Sequence, residues 1–62
     1  MDVIELRHEY TAALERACDL ARRMAQAYEA GDWAWQLALF GQFKVADAQV
    51  RRIKHFLQIG VA

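Results

Sequence analysis

Sixty-two residues make one domain at most, residues 1–62, and a chain this short buries only about 60% of its unfolded surface, so alone it is marginal. Eight Lys and Arg balance eight Asp and Glu, which argues against a dedicated nucleic-acid binder, whose affinity rests on phosphate neutralisation. The lone Cys18 excludes an internal disulfide and no Cys/His spacing resembles a zinc site, which leaves oligomerisation as the expected support.

The longest uninterrupted apolar run, Leu37 to Phe40, is far shorter than a membrane span. Asp2 and Glu5 stand where the leader of a signal peptide would begin, so none is expected. A single unpaired thiol fits a reducing compartment, and the expected location is the cytoplasm.

Proline is absent, and Gly occurs only at 31, 41 and 60. With Ala, Leu, Arg, Glu and Gln dominant, helix propensity is high over long windows. The punctuation predicts an all-α chain: helix 1 over about 2–30, helix 2 over about 32–59, and a minimal turn between them. Asp2 is the expected N-cap of helix 1, with Glu5 completing a capping box and Met1 and Leu6 a hydrophobic staple. Val3, Leu6, Tyr10, Ala13, Ala17, Leu20, Met24 and Ala27 then alternate in steps of three and four. Gly31 suits the left-handed conformation that ends a helix, and Asp32 can cap the next.

Helix 2 carries a matching series: Gln36, Leu39, Phe43, Ala46, Val50, Ile53, Leu57 and Gly60. Gly60 is expected to stop it, with Val61 touching Phe56 in a Schellman motif. The two series mirror each other about the turn, from Ala27 with Gln36 to Val3 with Gly60. Independent helices have no reason to keep that symmetry, whereas an antiparallel hairpin pairs residues equidistant from its loop. At 1.5 Å per residue such a hairpin is roughly 40–45 Å long. Glu5, His8, Glu15, Asp19, Arg22, Gln26 and Glu29 lie opposite the seam of helix 1 and should face water. Asp19 has helical ion-pair spacing to Arg22 and Arg23.

Helix 2 lacks such a charged back in its first half. Ala34, Ala38, Gly41, Val45 and Ala48 form a second stripe of small residues, and Gly41 inside a helix costs roughly 1 kcal/mol relative to Ala. Trp33, Leu37 and Phe40 flank the stripe, and Tyr28 with Ala21 and Ala25 extends it. Trp33, Ala34, Leu37, Ala38, Phe40, Gly41, Val45 and Ala48 are therefore the expected homodimer interface, giving a four-helix bundle with helix 2 crossing its own copy near Gly41. Trp33 and Trp35 diverge, so one interface cannot cover both fully. Trp35, with Tyr28, Arg16 and Arg23, is the expected contact for another protein, Trp being enriched at binding hot spots. Residues 33–62 hold four Lys/Arg and one acidic residue, Asp47. Lys44, Arg51 and Lys54 project to the side of Arg7, with Arg52 and His55 further round. This cluster complements the dipole of helix 2, and doubled by a dimer it could meet an acidic surface or a phosphate backbone.

Catalytic chemistry finds little support. Glu5-Leu-Arg-His8 has the Glu-x-x-His spacing of di-iron bundles, but further inward carboxylates are missing. Cys18 beside Leu14, Ala21 and Ala25 reads as a buried small hydrophobe, and neither His8 nor His55 falls next to it. No catalytic residue, metal, cofactor or small-molecule substrate is expected. The expected architecture, a short hairpin that dimerises, is similar in shape to the Rop family of plasmid RNA-binding proteins, which implies a nucleic-acid-binding regulator. No sequence motif carries that resemblance, and fold alone does not give function. The reading the residues favour is a non-enzymatic protein–protein interaction module: a small dimeric regulator, inhibitor or adaptor that binds another protein through apolar residues near the turn. The alternatives are the Rop-like regulator and a structural assembly subunit.

Overall fold

The computed structural model describes the backbone of residues 2–61 and the side chains of residues 2–59. Two helices make up almost all of it: α1 (Val3–Ala30) and α2 (Trp33–Val61). They pack side by side as a rod 45 × 14 × 14 Å, the length expected for a tight antiparallel hairpin.

Local chemistry sets three of the four helix ends. The Asp2 carboxylate accepts a 3.4 Å bond from the Ile4 N–H, and its carbonyl accepts from Leu6 N–H at 3.0 Å. Glu5 makes no return bond among the described residues, so only the aspartate half of the capping box forms. The staple involving Met1 lies outside the described residues. At the turn Gly31 adopts φ 72°, ψ 18°. Its N–H donates to the Tyr28 carbonyl at 3.1 Å, and the Asp32 N–H donates to Ala27 at 3.0 Å. That is a Schellman closure. Asp32 also starts α2, its carboxylate accepting from Trp35 N–H at 3.0 Å. Two residues thus end one helix and begin the next.

The fourth end differs from expectation: α2 runs through Gly60 to Val61. Glycine penalises a helix interior by roughly 1 kcal/mol but does not forbid it. The proposed contact between Val61 and Phe56 lies outside the described side chains.

The seam follows the mirrored series. Ala13, Leu20, Ala27, Leu39 and Ala46 are buried. Leu6, Tyr10, Ala17, Met24, Gln36, Phe43, Val50, Ile53 and Leu57 are half-buried. Leu20, Ala27, Leu39 and Ala46 form one cluster, with Ala17, Met24 and Phe43 packed against it. Val3 departs from the series and is exposed. It occupies the open end of the hairpin, and its expected partner Gly60 has no side chain to cover it. On the back of α1, Glu5, His8, Glu15, Arg22, Gln26 and Glu29 are exposed, whereas Asp19 is half-buried. Asp19 pairs with Arg23 at 3.1 Å, an exposed i,i+4 pair worth a few tenths of a kcal/mol.

Cys18 corrects a second expectation, because it is exposed rather than buried. It follows Ala17, one step out of the seam, and a two-helix layer has nothing to lay over that position. No helix among the described residues is long and apolar enough to cross a membrane.

Candidate functional site

Two long faces border the seam, and heptad spacing decides which residues each receives. Arg7, Leu14, Ala21 and Tyr28 recur every seven residues on α1, as do Trp33, Phe40, Asp47 and Lys54 on α2. They line one side. Tyr28 and Trp33 meet there at the turn, edge to face, with ring centroids 6.2 Å apart and planes at 86°. At the opposite end of this face Arg7 and Lys54 share a shallow groove with Tyr10, Leu57 and Gln58. The other side takes Glu9, Arg16 and Arg23 from α1, and Trp35, Gln42, Gln49 and Phe56 from α2.

The first face is apolar near the turn. Trp33 is 70% exposed, Leu37 73%, Tyr28 64% and Phe40 45%. Trp33, Leu37 and Phe40 line a groove with Met24 and Gln36. Leu14, Cys18, Ala21 and Ala25 of α1 continue the surface, and all four are exposed. The first charged group is Lys44, whose ammonium lies 5.8 Å from the centroid of the Phe40 ring. Beyond it the Asp47 carboxylate is bound by Arg51 at 3.2 Å.

The second face is mixed. Arg16, Asp19, Arg23, Gln42 and Gln49 line a groove with Val45 over Leu20 and Ala46. Towards the termini Glu9, Gln49, Arg52 and Phe56 surround Val3, Leu6 and Ile53. Trp35 stands one heptad before Gln42 at the head of this row and is 45% exposed.

The structure therefore regroups the residues singled out from the sequence. Trp33, Leu37 and Phe40 stay together, with Ala34 and Gly41 exposed beyond them on α2. Ala38 and Ala48 are exposed as well, but Val45 belongs to the groove of Arg16 and Arg23. A Cβ placed on Gly41 would meet open space, so nothing within this chain requires glycine there. Tyr28 keeps company with Trp33 rather than with Trp35, Arg16 and Arg23. The five cations are likewise divided. Arg7 and Lys54 share one groove, Arg51 is paired with Asp47, Lys44 covers Phe40, and Arg52 lies on the other face.

Among the described residues no three of His, Cys, Asp and Glu gather where they could hold a metal ion. Glu5 and His8 are both exposed, and His55 lies 6.2 Å from the Phe56 ring. Sequence reasoning placed Gln36 in the seam, where it is half-buried, but missed that its side-chain oxygen is buried without a hydrogen-bond partner among the described residues. A polar residue in an otherwise apolar seam series was the available signal. No protein-family model, curated protein or solved structure matches this chain.

Proposed function

We propose that this protein is a non-enzymatic interaction module, a helical hairpin that dimerises into a four-helix bundle and binds and regulates another protein. One observation carries the reading. Among the described residues eleven large hydrophobic side chains are exposed, against a buried core of two leucines and three alanines. Burying a large apolar side chain fully is worth about 1.5–3 kcal/mol, so covering even part of this surface would add substantially to what the seam supplies. The mixed face fits a regulatory, non-obligate contact near the turn, with an aromatic anchor at Trp35 and a polar rim of Arg16, Arg23, Gln42 and Gln49. The described grooves lie open to solvent along the rod, a shape that favours occlusion of a partner over enclosed chemistry as the mode of action. A lone exposed thiol is at home in a reducing compartment, which supports action in the cytoplasm.

Affinity capture from the native host tests this. A stoichiometric partner should be recovered with the wild type and with Glu15→Ala on the solvent face, and lost with Trp35→Ala. Capture unaffected by Trp35→Ala would overturn the assignment of the anchor.

One observation favours a second reading. Arg7 and Lys54 lie together without a carboxylate in their groove, an arrangement that suits a phosphate backbone. That reading requires RNA or DNA binding that weakens steeply with salt, with a smaller salt slope for Arg7→Gln/Lys54→Gln. Absence of binding at low salt would remove it.

A further inference from the structure

We infer that the turn-proximal face of Tyr28, Trp33, Leu37 and Phe40, continued by Leu14 and Cys18 of α1, is the docking site for a second copy of this chain. This deepens the interaction reading, on which it rests, by naming the occupant of one face and leaving the Trp35 face to the foreign protein.

Area is the first argument. Taking roughly 200 Å² for a large side chain, the exposures given above and 38% for Leu14, these residues offer at most roughly 600 Å² per copy. That is the top of the range for the largest patch a typical monomer exposes, on a chain of only sixty-two residues. Two copies would remove up to about 1,200 Å² from water, the lower end of what specific, stable interfaces bury.

Charge is the second. Between Leu14 and the turn this face contains no ionised group except Lys44 at its edge, and Asp47 is already held by Arg51. Closing it strands no carboxylate. The Trp35 face would instead have to desolvate Arg16, Asp19, Arg23, Gln42 and Gln49, which is costly unless each finds a partner. Obligate homodimer interfaces are more apolar than exchangeable ones, which favours this face over the mixed one for a second copy.

The third is need. The described core buries nothing larger than Leu20 and Leu39, and domains of this size usually take support from oligomerisation. A two-fold dimer meets that need from identical surfaces. It also moves the contact away from a crossing at Gly41 and onto both helices, at Phe40 and Ala21.

Sedimentation equilibrium of the full chain tests the inference. The wild type should be a dimer, Leu37→Glu a monomer, and Gln49→Glu on the other face a dimer. Leu37 touches little of its own chain, so circular dichroism should show the hairpin retained. Cys18 supplies an independent readout: its thiol should react slowly with a disulfide reagent in the wild type, and at the rate of a free thiol in Leu37→Glu. A wild type that sediments as a monomer overturns the inference without any variant. So does a Leu37→Glu dimer, loss of the dimer in Gln49→Glu, or equal Cys18 rates. A monomer that still captures its partner through Trp35 would sink the second copy, and with it the dimeric half of the proposed function, and leave the binding of another protein standing.

Discussion

Gly31 and Asp32 show how much a single residue can decide. At φ 72° only glycine is unstrained, and the Asp32 carboxylate is in place for the Trp35 N–H. Both roles were legible because left-handed turns and N-caps are local chemistry, written in residue type. Gln36 is the opposite case. Its position in the seam follows from spacing, but the isolation of its oxygen depends on how the two helices pack, which spacing does not give. An unpaired buried polar atom costs about 1–3 kcal/mol. Gln36→Leu should therefore stabilise the hairpin by about 1 kcal/mol, read as a raised urea midpoint at unchanged slope. A lowered midpoint would mean that the amide is satisfied.

The helices themselves follow from period and composition. Steps of three and four placed fourteen of the fifteen described seam positions at least half-buried, because a stripe of that period on each helix has one way to be covered by the other. Val3 escaped because spacing does not know where the partner helix runs out. Gly60 misled because a stop signal is a propensity of about 1 kcal/mol, easily outweighed by the backbone bonds that continue the helix. Ala27 marks the tightest part of the seam, with no exposed surface at all. It lies close to the two-residue turn, which limits how far the helices can spread there. Ala27→Leu should cost about 1–3 kcal/mol by overpacking, measured by chemical denaturation. Ala25→Leu, on the exposed face of the same helix, should stay within about half a kcal/mol in the monomer.

At the scale of the whole molecule the decisive fact is imbalance. A rod 14 Å across has no interior beyond its seam, so each large side chain off the seam faces water or another chain. If the turn-proximal face closes on a second copy, folding and association are linked, and the melting temperature should rise with protein concentration. A midpoint independent of concentration across a hundredfold range (roughly 2.7 kcal/mol by mass action) would show a hairpin that stands alone.

Residue types and their spacing determined the two helices, the turn at Gly31-Asp32 and the register of the seam. Those features rest on short-range rules, namely backbone conformation, capping and the helical period. Spacing also grouped Trp33, Leu37 and Phe40 with Tyr28; only the packed hairpin decided that Tyr28 meets Trp33 edge to face, that Cys18 is exposed, and that Val45 joins Arg16 and Arg23. The reason is geometric. A residue's own helix fixes the direction in which it points, but the second helix fixes which residues of the other strand of the hairpin stand beside it.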